Sequence, residues 1–210
     1  MSFGYIGDTP TKVNQKVKNT GILSISEAFD LERQGFLGGS LELIAEQTYS
    51  SAVSSIQFTD IKESLYDVHL MQIFNVQGTT DQDTFTIYLY EDGIGWETAS
   101  VYQWANQINT SAGVGSEQRS TSRDGMSLFG SNDNDTNEKN NAYVYFYNLG
   151  NSAKYSFSTF QTTAIDYYET GSRMGGAVLP QASKVTGIRL DISNNNFSSF
   201  TLKLFGVKQI

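Results

Sequence analysis

The chain has 210 residues, with 22 acidic against 14 basic side chains and a formal net charge of −8; an acidic surface repels nucleic acid and anionic membranes, so neither is expected as a partner. It has no cysteine, which excludes thiol catalysis, cysteine-ligated zinc and a disulfide scaffold, and its single histidine, His69, excludes any metal site that needs two. With 39% hydrophobic residues, 13 Phe, 12 Tyr, and 19 Gly against 2 Pro, the composition fits one all-β domain with turns of Gly, Asn, Asp and Ser.

No window is long and apolar enough to span a bilayer. The start, MSFGYIGDTPTKV, has neither a basic n-region nor an apolar h-region, so no secretory leader is expected. Met1 to Gly21 reads as a polar arm. Gly7 and Pro10 break regular structure, and Lys12, Lys16 and Lys18 make it locally basic. Tyr5, Ile6, Val13 and Val17 are its apolar points for docking on a partner. Ile22 to Gly35 predicts one short helix: Ser24 and Glu27 form a capping box, Ile25 and Phe29 share a face, and Gly35 ends it. Gly38-Gly39-Ser40 is a junction. The organisation expected is an arm with a short helix over residues 1–39, then a β domain over 40–210.

Strands are predicted from Leu41 on by alternation of apolar and polar residues. They cover Leu41 to Thr48, Val53 to Phe58, Leu65 to Val76 and Thr84 to Tyr90. In the third, Tyr66, Val68, Leu70, Gln72, Phe74 and Val76 share one face, with Asp67, His69 and Met71 opposite. Ala99 to Ile108 follows, then a Ser/Thr/Gly-rich loop from Asn109 to Ser122. Met126 to Phe129 is short, and Ser131 to Asn140 is a loop without an apolar residue. Asn141 to Gln161 predicts a hairpin, with Tyr143, Tyr145 and Tyr147 alternating before the Leu149-Gly150-Asn151-Ser152 turn and Tyr155, Phe157 and Phe160 after it. Asp166 to Gly171 reads as a connection; Met174 to Leu179, Val185 to Ile192 and Phe200 to Val207 complete the set. About ten or eleven strands at this spacing predict an antiparallel, jelly-roll-like β-sandwich. Tyr145, Phe146, Phe157 and Leu204 are expected in its core.

Three kinds of site are weighed. Asp133, Asp135 and Asn137 alternate as in the opening of a calcium loop, but Glu138 stands where that loop needs glycine; a polar turn explains them equally. Carboxylate pairs for glycoside hydrolysis are Asp81 with Asp83, Glu91 with Asp92, and Asp60 with Glu63, and nothing selects one of them. Trp96 and Trp104 are candidates for stacking on sugar rings, the alternative being a core or an interface. No catalytic constellation and no cofactor motif is present, so no enzyme is expected.

Three stretches carry a resemblance. Tyr5-Ile6-Gly7-Asp8-Thr9-Pro10 is similar to the Tyr-Ile-Gly-Asn-x-Pro opening of phage tail and fibre proteins, with Asp8 in place of Asn. Leu43 to Thr59, LIAEQTYSSAVSSIQFT, resembles the run that starts their β domain. Ser199 to Val207, SFTLKLFGV, is similar to their closing strand, with Ser199 in place of Gly, and Asn148-Leu149-Gly150-Asn151 fits an inner turn. The chain therefore resembles virion structural proteins of tailed phages, of the kind found in marine phages of cyanobacteria and pelagic bacteria. The resemblance implies a peripheral virion appendage (tail fibre, baseplate-associated protein or head decoration) without catalysis. It implies a homotrimer among other virion proteins, anchored through Tyr5, Ile6, Gly7 and Pro10. A carbohydrate-binding module that recognises a host-surface glycan is the alternative.

Overall fold

The structure, a computed structural model, describes residues 40–113, 115–166 and 169–208. The expected arm, its anchor residues Tyr5, Ile6, Gly7 and Pro10, and the short helix lie outside the described residues. Those described form thirteen strands and no helix. In chain order these are β1 (Leu41–Thr48), β2 (Ser55–Phe58), β3 (Val68–Gly78), β4 (Asp83–Glu91), β5 (Gly95–Trp96), β6 (Tyr102–Thr110) and β7 (Gly115–Arg123). They continue with β8 (Met126–Asn132), β9 (Asn140–Tyr147), β10 (Ser156–Asp166), β11 (Glu169–Leu179), β12 (Val185–Ile192) and β13 (Phe197–Val207). An eight-stranded sheet runs β1-β13-β3-β9-β10-β11-β6-β7. A five-stranded sheet runs β2-β12-β4-β5, with β8 also on β4. Every pairing whose register is resolved is antiparallel.

Leu43–Val207 is one compact unit, and residues 40–42 group with Lys208 in another. In the latter, the Lys208 amide donates to the Ser40 carbonyl at 2.8 Å, and its ammonium lies 3.1 Å from Glu42. The core belongs to the larger unit and lies between its sheets. At its centre Phe85 of β4 stacks on Phe197 of β13 at 5.6 Å and meets Phe129 of β8 edge-on at 5.5 Å, while Phe197 meets Phe200 edge-on at 5.7 Å. All four rings are buried, so they join the two sheets by area as well as by ring geometry.

The large sheet divides each strand into an inner and an outer set. On β9 the inner set is Val144 and Phe146, both buried, and the outer set is Tyr143, Tyr145 and Tyr147. Phe146 and Leu204 are core residues as expected. Tyr145 and Phe157 are not: Tyr145 precedes Phe146, so it faces the other way, and Phe157 pairs with Tyr147 on the outer side and is 46% exposed. On β3, His69, Met71 and Ile73 point inward. Val76 does too, although an unbroken strand would turn it outward with Phe74. A bulge between Ile73 and Val76 changes the parity, with Asn75 at φ 53°. Asn75 suits the left-handed region, and its backbone N–H donates to Asn141 Oδ1 at 3.1 Å.

Two further expectations are corrected. Asn109 to Ser122 is not a loop, since β7 occupies most of it and pairs with β6. Asp166 to Gly171 is mostly strand, with Asp166 paired to Glu169. The two-residue β5 was not legible as a strand.

Removing the central ring tests this division. Phe85→Ala is expected to cost about 3–5 kcal/mol in urea unfolding, whereas Phe157→Ala, on the outer face, is expected to stay within about 1 kcal/mol. Equal losses would mean that the two faces are misassigned.

Candidate functional site

The outer face of the large sheet is laid out by strand register. One row runs Tyr145, Thr159, Gly176, Ala105, Arg119 across β9, β10, β11, β6 and β7. The next row on one side is Tyr143, Gln161, Met174, Gln107, Glu117; on the other side Tyr147, Phe157, Val178 and Gln103 align. Tyr143 and Met174 are 44% and 48% exposed. The Tyr143 hydroxyl donates to Gln161 Oε1 at 2.6 Å, and the Tyr147 hydroxyl lies 3.2 Å from Thr159 Oγ1, which fixes two of the phenol rings.

Where the first row reaches Gly176 and Ala105 the large side chains stop, and an open groove of about 710 Å³ results. Phe157 stands on one side of it and Arg119 and Thr121 on the other, with Gly176 and Ala105 as the floor and Val178 and Gln103 in the row that contains Phe157. The neighbouring Gly175 is required by packing. A Cβ there would come within 2.4 Å of the Ala105 carbonyl and 2.6 Å of Asn106 Cβ. The Gly175-Gly176 pair inside a strand was the one sequence signal of a close backbone approach and a bare patch.

The sequence candidates lie elsewhere. Trp104 points inward, is 6% exposed and donates its indole N–H to the Ser127 carbonyl at 2.8 Å; a ring so buried cannot stack on a sugar. Trp96 lies on the outer side of the small sheet, edge-on to Tyr90 at 5.2 Å. The Arg189 guanidinium sits 4.8 Å from both the Trp96 and Tyr88 rings and contacts Asp191 at 2.8 Å, so one face of the indole is already occupied. The two tryptophans are therefore on different sheets and do not form a platform.

Asp133, Asp135 and Asn137 fall in the β8–β9 loop. Gln77 Nε2 donates to the carbonyls of Asp135 and Glu138 at 2.7 and 2.9 Å, and Lys139 donates to Gln77 Oε1. These carbonyls thus turn toward Gln77. Desolvation, then Asp135 and Asp133, raise the Glu138 carboxyl. Among the described residues no group of three or more His, Asp or Glu side chains is placed to hold a metal ion.

The carboxylate pairs are engaged separately. Asp81 accepts the Asn134 amide at 3.0 Å, and Asp83 accepts Thr80 and Asn195 at 3.1 Å each. Asp60 pairs with Lys62, and Glu63 with Lys184. Glu91 is buried and interacts with Ser183 and Glu97; burial pushes its carboxyl up. His69 is fully buried, with Nε2 2.8 Å from the Ile61 carbonyl. A carbonyl only accepts, so Nε2 carries the proton, and burial pushes the imidazole below its usual range.

Comparison with protein-family models, with curated proteins and with solved structures finds no match.

The histidine gives a pH test. Its folded value is depressed, so its contribution is present above the unfolded value of 6.5 and is lost as pH falls below it. Between about pH 7.5 and about pH 5.5 the wild-type unfolding midpoint should fall faster than that of His69→Gln, which keeps a donor for Ile61. The raised Glu91 and Asp191 act with the opposite sign, but they are common to both proteins and cancel in the difference. Parallel curves would contradict a buried neutral His69.

Proposed function

We propose that the chain is a structural protein of a tailed-phage virion, a peripheral appendage that acts by assembly and not by catalysis. The sandwich is jelly-roll-like in this reading: the chain changes sheet at β1/β2, β2/β3, β3/β4, β5/β6, β7/β8, β8/β9, β11/β12 and β12/β13. The observation that carries it is a set of exposed apolar side chains at one end of the sandwich. Leu65, Ile94 and Tyr155 are 69%, 76% and 48% exposed. Their loops are tied together by the Glu63–Lys184 ion pair at 2.8 Å, by the Asp92 amide on the Lys184 carbonyl, and by the Val185 amide on the Leu149 carbonyl. Rigid loops carrying apolar tips suit a subunit or particle contact. The oligomer is taken as a homotrimer, the arm as the anchor, and the virion, assembled in the host cytoplasm, as the place of work.

The outer-face groove favours a second reading, a carbohydrate-binding module that engages a host-surface glycan. It replaces the tryptophans with Phe157 as the stacking candidate.

Sedimentation should give a trimer for the full chain and a smaller species for the Leu65→Asp/Ile94→Asp double variant, with the fold retained. A monomer at high concentration would sink the contact. Deleting residues 1–21 should move the unfolding midpoint by no more than about 3 °C and abolish incorporation into particles. Truncated protein that still appears on particles in labelled electron micrographs would refute the arm as anchor.

A further inference from the structure

We propose that the groove over β10, β11, β6 and β7 binds a neutral saccharide, which stacks on Phe157 and lies over Gly176 and Ala105. The inference rests on the carbohydrate-binding reading and deepens it by naming the class of ligand. Shape is the first argument. The groove, at about 710 Å³, lies within the roughly 300–1,000 Å³ of small-molecule sites. Its floor is bare because residue 176 has no side chain and residue 105 only a methyl group, so a flat ligand can reach the sheet surface.

Chemistry is the second. Phe157 presents an aromatic ring 46% exposed, an apolar wall for the C–H face of a pyranose. Gln103 and Thr121 supply an amide and a hydroxyl, donors and acceptors without charge. A ring with one apolar face and an equatorial belt of hydroxyls matches that division; a fully apolar ligand would leave both polar groups unmatched.

Charge is the third and separates the saccharide classes. Arg119, the one cation among the described residues that line the groove, is paired with Glu117 at 2.6 Å. An anionic sugar would meet the Glu117 carboxylate beside that cation and approach a chain of net charge −8. A neutral sugar meets neither obstacle. A second copy of the chain would bring the same net charge and is the less favoured occupant.

The test uses the full chain and two reporters, titration calorimetry and tryptophan fluorescence. Trp104 lies in the strand under the groove, with its indole fixed on Ser127, so it should sense occupancy. The probes are cellotetraose, maltotetraose, xylotetraose and N-acetylated chitotetraose, against tetragalacturonate and a sialylated tetrasaccharide. At least one neutral probe is expected to bind. Phe157→Ala and Ala105→Phe should each weaken it about tenfold or more, with unchanged unfolding midpoints because both positions are exposed. Tyr143→Phe, on the same face beyond the groove, should leave affinity unchanged. Binding of only the anionic probes, lost in the groove variants, would keep the carbohydrate-binding reading and overturn the neutral class. Binding that Phe157→Ala and Ala105→Phe leave intact would place the site elsewhere and overturn the proposal. No binding by any probe would overturn both, as would self-association abolished by the groove variants.

Discussion

A β-strand can give a core only every second residue, and the arrangement of this protein follows from that constraint. The large sheet sets Val144 and Phe146 against the small sheet and turns Tyr143, Tyr145 and Tyr147 away. The choice of face is held over long distances by the Phe85, Phe129, Phe197 and Phe200 cluster, whose members come from both sheets. A slip of one residue in β13 would bring Thr201 and Lys203 inward in place of Leu202 and Leu204. Two irregularities in the β13–β3 ladder and the bulge at Asn75 change the parity locally, so that Phe197 and Val76 also face the core.

Chemistry then divides by face. Inside, polar groups serve structure: Trp104 reaches Ser127, His69 reaches Ile61, and the Tyr102 hydroxyl receives the Leu89 amide. On the outer side of the small sheet, Arg189 lies against the Tyr88 and Trp96 rings with Asp191 alongside, a closed cluster that leaves little for a ligand. The outer side of the large sheet is different. Its aromatic residues stand at spacings set by register, and at β11 and β6 small residues open the groove. Exposed aromatics on a rigid sheet lose little side-chain entropy on binding, which suits recognition by preformed shape.

Much of this was legible in the sequence. Leu41–Thr48 and Val185–Ile192 have the limits that alternation predicts, because each stands between clear breaks. The hairpin of β9 and β10 was legible because aromatic residues alternate on both sides of its turn. Strand β7 was not. Its sequence, GSEQRSTSR, is polar on both faces because most of both faces meets solvent, so period-two contrast cannot arise; pairing with β6 supplies its order. Face assignment failed at Tyr145 and Phe157 for another reason. Aromatic residues at period two identify a strand but not which side is covered, and here both sides carry them. The parity change at Asn75 needs a bulge that one asparagine does not announce. The groove depends on the lateral alignment of Gly176, Ala105 and Phe157 from three strands, a relation that no single stretch contains.

The central claim is that the outer face of the large sheet stays open while its inner face is sealed. Hydroxyl-radical footprinting of the dilute protein, read by mass spectrometry, tests it most directly. Tyr143, Phe157 and Met174 should oxidise rapidly, and Phe146, Tyr102 and Met71, of matched chemistry but fully or almost fully buried, should be protected until unfolding. Protection of Phe157 and Met174 equal to that of Phe146 and Met71 would contradict the account, since the face assigned to recognition would then be part of a packed interior.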